Sequence, residues 1–156
     1  MPALARLWIK TALGYMVAAL LLGVWLAAEP WLPVWIGSAD GQGSVAAVRA
    51  SGGLTAALRA VFVHLFVVGW LTQLIFGVAY WLFPRHSREE PYGRSEWAWL
   101  SFGLLNGGLL LRAAAEPARA VGGSGFWAWS LVVAALLQWI ATVCYAAYIW
   151  TRVRTK

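Results

Sequence analysis

From Val61 to Phe83 the chain reads VFVHLFVVGWLTQLIFGVAYWLF, a run without a single formal charge. A helix of that length crosses a hydrocarbon core about 30 Å thick. One histidine, His64, sits inside the run near one end, and Pro84-Arg85 stops it at the other. An ionisable side chain is costly to hold in a bilayer and marks a functional site by default. Its obvious uses are as an axial ligand to a cofactor or as part of a proton path.

The rest of the chain has the same character. Of 156 residues, 62% are apolar and only 12% are charged, against about a quarter charged in soluble domains. The sequence therefore predicts one all-α integral membrane domain over residues 1–156, a four-helix bundle in the lipid bilayer. The spans are expected at about 7–28, 54–83, 97–115 and 126–151. Pro30 and Pro33 follow the first span and Pro84 closes the second. Glu116-Pro117 is expected to end the third, and Gly122-Gly123-Ser124-Gly125 reads as a flexible link to the fourth. Residues 37–53 form the longest connection, with Val45 to Arg49 as one short surface turn. The first span is too long an apolar run for a cleaved signal peptide.

Basic residues predict the orientation. The N-terminus, second loop and C-terminus hold Arg6, Lys10, Arg85, Arg88, Arg94, Arg152, Arg154 and Lys156, whereas the opposite side holds only Arg49, Arg59, Arg112 and Arg119. Both termini are thus expected in the cytoplasm of a cell whose inner membrane holds the chain. The net charge of +6 is spread over helix ends, not gathered in a patch, so no nucleic-acid partner is expected. Tryptophans are expected as interfacial belts, Trp8, Trp81, Trp97, Trp99 and Trp150 inside, and Trp25, Trp31, Trp35, Trp127 and Trp129 outside.

Within the spans few polar groups remain. Gln73, Asn106 and Gln138 fall near the centres of the second, third and fourth helices, where amides at matched depth can hydrogen-bond across helices. Gly103 and Gly107 make a GxxxG on the third, and Gly69 and Gly77 nearly share a face of the second. The single Cys144 excludes an internal disulfide and a paired-cysteine metal site. No second histidine, cysteine or carboxylate shares the depth of His64, which argues against zinc or copper. Nothing resembles a catalytic triad or a nucleotide loop. The alternation of Glu89, Glu90 and Glu96 with Arg85, Arg88 and Arg94 reads as a solvated charged face.

Heme b is the cofactor these residues would suit. His64 would supply an axial ligand, the bundle an apolar slot with small residues making room, and Arg59, Arg112 and Arg119 cations for the propionates. His86 lies 22 positions further along the chain, roughly 33 Å at 1.5 Å per residue, on the opposite membrane face. The two histidines of one chain cannot share one iron. The expected coordination is thus five-coordinate in a monomer, or bis-histidine across a homodimer.

The pattern His64, Gly69, Trp70, Gly77, Tyr80, Pro84, Arg85 resembles small four-helix membrane proteins grouped with the catalytic subunit of heme–copper oxidases and nitric oxide reductases. KTALGY at Lys10 to Tyr15 and LLNGGLLLRAAAEP at Leu104 to Pro117 look like the matching first and third helices, so the resemblance covers most of the chain. It implies that His64 corresponds to the histidine near the outer end of the second helix that ligates the low-spin heme, with propionates facing outward. The later helices that carry the ligands of the catalytic heme and copper have no counterpart, and Phe62 stands where related short proteins are expected to carry a second histidine. The resemblance therefore implies electron transfer or gas sensing, not complete oxygen chemistry by this chain alone. The alternative is a cofactor-free structural or assembly subunit of a respiratory membrane complex.

Overall fold

In a bilayer, backbone donors and acceptors find no water, so a spanning segment must close its hydrogen bonds internally. The computed structural model meets that demand with helices alone among the residues it describes, which are 1–31, 45–83, 95–150 and 152–153; for residue 30 and residues 45–51 it describes the backbone only. Helix α1 is Ala3–Ala28, followed by a 3₁₀ turn at Glu29–Trp31. The second span is one continuous rod in three parts: α2 at Val45–His64, a π-helical stretch at Leu65–Thr72, and α3 at Gln73–Leu82. Helices α4, Ser95–Ala120, and α5, Gly125–Trp150, complete the bundle. Four helices are long and apolar enough to cross a membrane.

The helices run antiparallel. Trp8 meets Phe76, Phe102 and Tyr145, which brings the start of α1, the end of α3, the start of α4 and the end of α5 to one end, called proximal below. At the other, distal end Thr55 Oγ1 donates to Glu29 Oε1 at 3.0 Å, and Gly53 lies beside the Ala120 carbonyl. The start of α1 and the end of α5 consequently share the proximal face.

The π stretch has a readable cause. Buried positions on the second span recur every four residues: Ala57, Val61, Leu65, Gly69, Gln73 and Gly77. In an α-helix four residues overshoot a full turn by roughly 40°, so such a row would wind off the bundle within a few steps. The wider π turn takes that rotation back and keeps the row facing inward. Thr72 Oγ1 donates to the Val67 carbonyl at 2.9 Å within it. Gly69 is needed here because a Cβ would come within 2.8 Å of Tyr15 and 2.9 Å of Leu109.

Three local expectations change. Residues 45–49 are not a separate surface turn but the first turns of α2, which runs unbroken through Gly52 and Gly53. Pro117 does not end α4, because near a C-terminus its missing N–H forfeits one bond only, and Val121 N–H still reaches the Pro117 carbonyl at 3.1 Å. The glycine link is a defined cap. Gly122 has φ +95°, Gly123 N–H donates to Ala118 O at 3.0 Å and Gly122 N–H to Arg119 O at 3.3 Å, the bond pair of a Schellman motif.

α4 and α5 form the most extensive pairing. Gly108 sits against the Ala134 carbonyl, and Ser101 Oγ donates to the Ala141 carbonyl at 2.7 Å. At the proximal end Tyr145 stacks on Phe76 with centroids 3.8 Å apart and donates to the Phe76 carbonyl at 2.5 Å. Arg152, only 3% exposed, caps the second span. It donates to Tyr80 O at 3.1 Å, Phe83 O at 2.8 Å and the Tyr148 hydroxyl at 3.0 Å. A cation at carbonyls left over by a helix C-terminus is favourable both as a donor and against the helix dipole.

Candidate functional site

His64 is the last residue of α2, at the point where the rod widens into its π stretch, and it is half-buried. Its Nδ1 lies 2.8 Å from the Ala60 carbonyl oxygen. A carbonyl can only accept, so Nδ1 carries the hydrogen and donates it. The neutral ring therefore keeps its lone pair on Nε2, the arrangement in which ligating histidines are usually held. π turns inside α-helices gather at functional sites, and this one sets the rotation of the imidazole relative to the helix below it.

Packing register gives the depth of His64. On α1, Gly69 meets Tyr15 and Gly23 meets Phe62, so His64 is level with about Leu20 to Leu22. On α4, Leu65 clusters with Leu109 and Gly53 lies by Ala120, so its level is about Leu109 to Leu111. Gly108 against Ala134 carries that level to about Leu131 to Val133 on α5. The residues at this depth on the other helices are aliphatic, and of them Leu20, Leu21, Leu110, Val132 and Val133 are exposed.

The three expected arginines separate. Arg59 and Arg119 are exposed near the distal end. Arg112 is half-buried and level with the turn just distal to His64; its Nη1 pairs with Glu116 Oε1 at 3.4 Å. Its Nε is buried and has no partner among the described residues. Arg112 thus keeps one unmet donor among the described residues, in the turn distal to His64, whose Nε2 keeps its lone pair. Among the described residues no three His, Cys, Asp or Glu side chains converge. His86 lies outside the described residues.

The expected open slot is not what the glycines provide. Gly23 receives Phe62, Gly69 receives Tyr15 and Leu109, and Gly77 receives Trp8 and Ile9. These glycines are spent on helix contact. α5 rests on α4 through Ser130 and Ala134 in its distal half, while its backbone makes little approach to the second span.

Deeper in the bundle the polar contacts also differ from expectation. Gln73 Nε2 donates to Asn106 Oδ1 at 3.1 Å, and Asn106 Nδ2 donates to Gln73 Oε1 at 3.4 Å. The third member is Tyr15, whose hydroxyl donates to Asn106 Oδ1 at 3.0 Å. Gln138 stays outside, its Nε2 buried without a partner among the described residues. Sequence depth alone nominated Gln138; the packing of Tyr15 over Gly69 is what brings a phenol to the amides. Gly103 and Gly107 face open space, so the GxxxG makes no close contact among the described residues. Trp8 is no interfacial anchor but fully buried. An apolar groove along α3, lined by Leu74, Ile75, Val78, Ala79, Leu82 and Phe83, holds none of these polar groups. No protein-family model, no curated protein and no solved structure matches the chain.

Proposed function

We propose that this chain is a membrane b-type heme protein, with a scaffold related to the oxidase catalytic subunit, acting in electron transfer or gas sensing. The observation that carries this reading is the His64 Nδ1–H bond to the Ala60 carbonyl, which orients the ring and leaves Nε2 for iron. Arg112 would meet a propionate through its unpaired Nε, with Arg59 and Arg119 nearer the surface. When bound, the group supplies reversible one-electron chemistry or an iron site for a small ligand. The chain would hold it through His64 and pair its anionic edge with Arg112. His64→Ala is expected to abolish the Soret band of purified protein, while the same change at His86 leaves it intact. Normal heme content in His64→Ala protein overturns the assignment.

A second reading is favoured by the filled glycine contacts: a cofactor-free scaffold or assembly subunit in a homodimer or larger respiratory complex. The spectrum of the unmodified protein decides between the two. Either way we place the chain in the inner membrane with both termini in the cytoplasm, supported by the distribution of basic residues. After Cys144→Ser, an impermeant thiol reagent added outside is expected to label Ser38→Cys and not Ser87→Cys. The reverse pattern inverts the orientation.

A further inference from the structure

Resting on the membrane placement above and not on the heme, we infer that the outer side of the α1–α3 contact is a site for an anionic glycerophospholipid. Arg6 and Lys10 hold its phosphate, and one acyl chain lies in the groove along α3. The first ground is a pair of cations with nothing to neutralise them. Arg6 and Lys10 are exposed on α1, opposite the face that buries Leu4, Ala5, Trp8, Ala12 and Ala19. Neither makes an ion pair with an acidic side chain among the described residues. Arg152, the other side-chain cation described at this end, is already spent on the Tyr80 and Phe83 carbonyls. Positions four apart share a helix face, and two like charges there repel. A single phosphodiester between them turns that repulsion into charge-assisted hydrogen bonds.

The second ground is depth. Trp8 and Ile9 lie against Gly77 and Tyr15 against Gly69, which puts Lys10 level with about Ile75. Lys10 is seven residues inside the start of α1 at Ala3, and Ile75 is seven short of Leu82. At about 1.5 Å per residue its Cα lies roughly 10 Å below the proximal rim, within the apolar layer. Helical side chains lean toward the N-terminus, which in α1 is the proximal end. The Lys10 stem therefore climbs past hydrocarbon to the level of Arg6, where headgroups begin. The third ground is the groove. Its volume is about 540 Å³, and its lining of Leu74, Ile75, Val78, Ala79, Leu82 and Phe83 is apolar. Successive helical residues are roughly 100° apart, so the order around α3 is Phe76, Gly77, Leu74, Val78, and around α1 it is Trp8, Ile9, Arg6, Lys10. Both series start inside the bundle, where Trp8 meets Phe76. Both pass through the contact of Ile9 with Gly77 and end outside. The cations and the groove thus share one outer side and one depth. A neutral lipid would match the groove alone; an anionic one matches both.

The test takes the full chain in detergent, adds phosphatidylglycerol or phosphatidylcholine with identical acyl chains, and counts retained lipids by native mass spectrometry. One phosphatidylglycerol is expected to be retained at least about fivefold better than phosphatidylcholine, the contribution of a single basic residue near an anionic surface. Arg6→Gln with Lys10→Gln should level the two lipids, while Arg6→Lys with Lys10→Arg should keep the preference. Ala79→Phe fills the groove and should lower phosphatidylglycerol retention severalfold at unchanged helix content. Arg59→Gln with Arg119→Gln removes the same charge from the distal end and should leave the preference intact. A matching loss there marks a net-charge effect and overturns the site. Equal retention of the two lipids by the unmodified chain, or displacement of the lipid by glycerol 3-phosphate, overturns it too. A chain that fails to float with lipid vesicles overturns the membrane placement together with this inference.

Discussion

The proximal and distal halves of this bundle are built to different rules. Around Trp8 the four helices converge on stacked and edge-on rings, and Arg152 closes the end by capping α3 from α5. Around His64 aliphatic side chains pack with Phe62 and Phe66, α5 leans mainly on α4, and the Arg112 Nε is buried without a partner among the described residues. The Tyr15–Asn106–Gln73 cluster marks the boundary between the two. The contrast teaches that ring stacking and cation capping are gathered at one end of the bundle, while the other is held by its close helix contacts and carries the buried, unpartnered Arg112 Nε.

Substitutions can break that division, and the largest effect is expected at Trp8. Trp8→Ala empties the proximal core and should cost about 3–5 kcal/mol of stability, read by thermal or steric-trap unfolding in micelles. A loss below the cost of a surface change would mean the rings are not the organising contact. At the boundary, Asn106→Leu should cost about 0.6–2 kcal/mol, the range of interhelical hydrogen bonds in membranes, and leave any bound chromophore in place. Chromophore loss at unchanged melting temperature would move the ligand site down into the amide cluster. The smallest effect is expected at Gly107, whose Cβ position is open. Gly107→Ala should stabilise the helix by about 0.5–1 kcal/mol. Destabilisation instead would reveal a partner helix pressed on that face.

Hydropathy made the four spans legible, and their ends fell within a few residues of those observed, apart from Pro117 and the start of the second, where the helix begins at Val45 and not near residue 54. A proline stops a helix only where its N–H and the preceding turn are needed, and a Schellman cap just beyond made them dispensable here. His64 was legible as a lone titratable group in an apolar run, yet its tautomer was not, since that depends on the Ala60 carbonyl. Arg152 was counted only among the basic residues that predict the orientation. Its burial follows from the carbonyls of Tyr80 and Phe83, which lie about seventy residues away in sequence, at a separation no local pattern reports. Tyr15 was missed for the same reason, and Gln138 was included because depth along a helix says nothing about the direction a side chain takes around it.

The π stretch carries a consequence for insertions and deletions. It accommodates more residues per turn than the α-helices on either side. Were all eight residues to straighten into α-helix, each turning the chain by roughly 100°, Leu65 and Gln73 would be roughly 80° out of phase. With Gln73 and Gly77 still held by their neighbours, Val61 and Leu65 would then swing off the bundle and His64 would point elsewhere. Deleting one residue between Leu65 and Thr72 would instead leave a continuous α-helix with the two positions seven apart, roughly 20° from alignment, and should be tolerated. The winding of this segment, not its composition, is therefore the quantity that couples the anchored half of the molecule to the aim of its histidine.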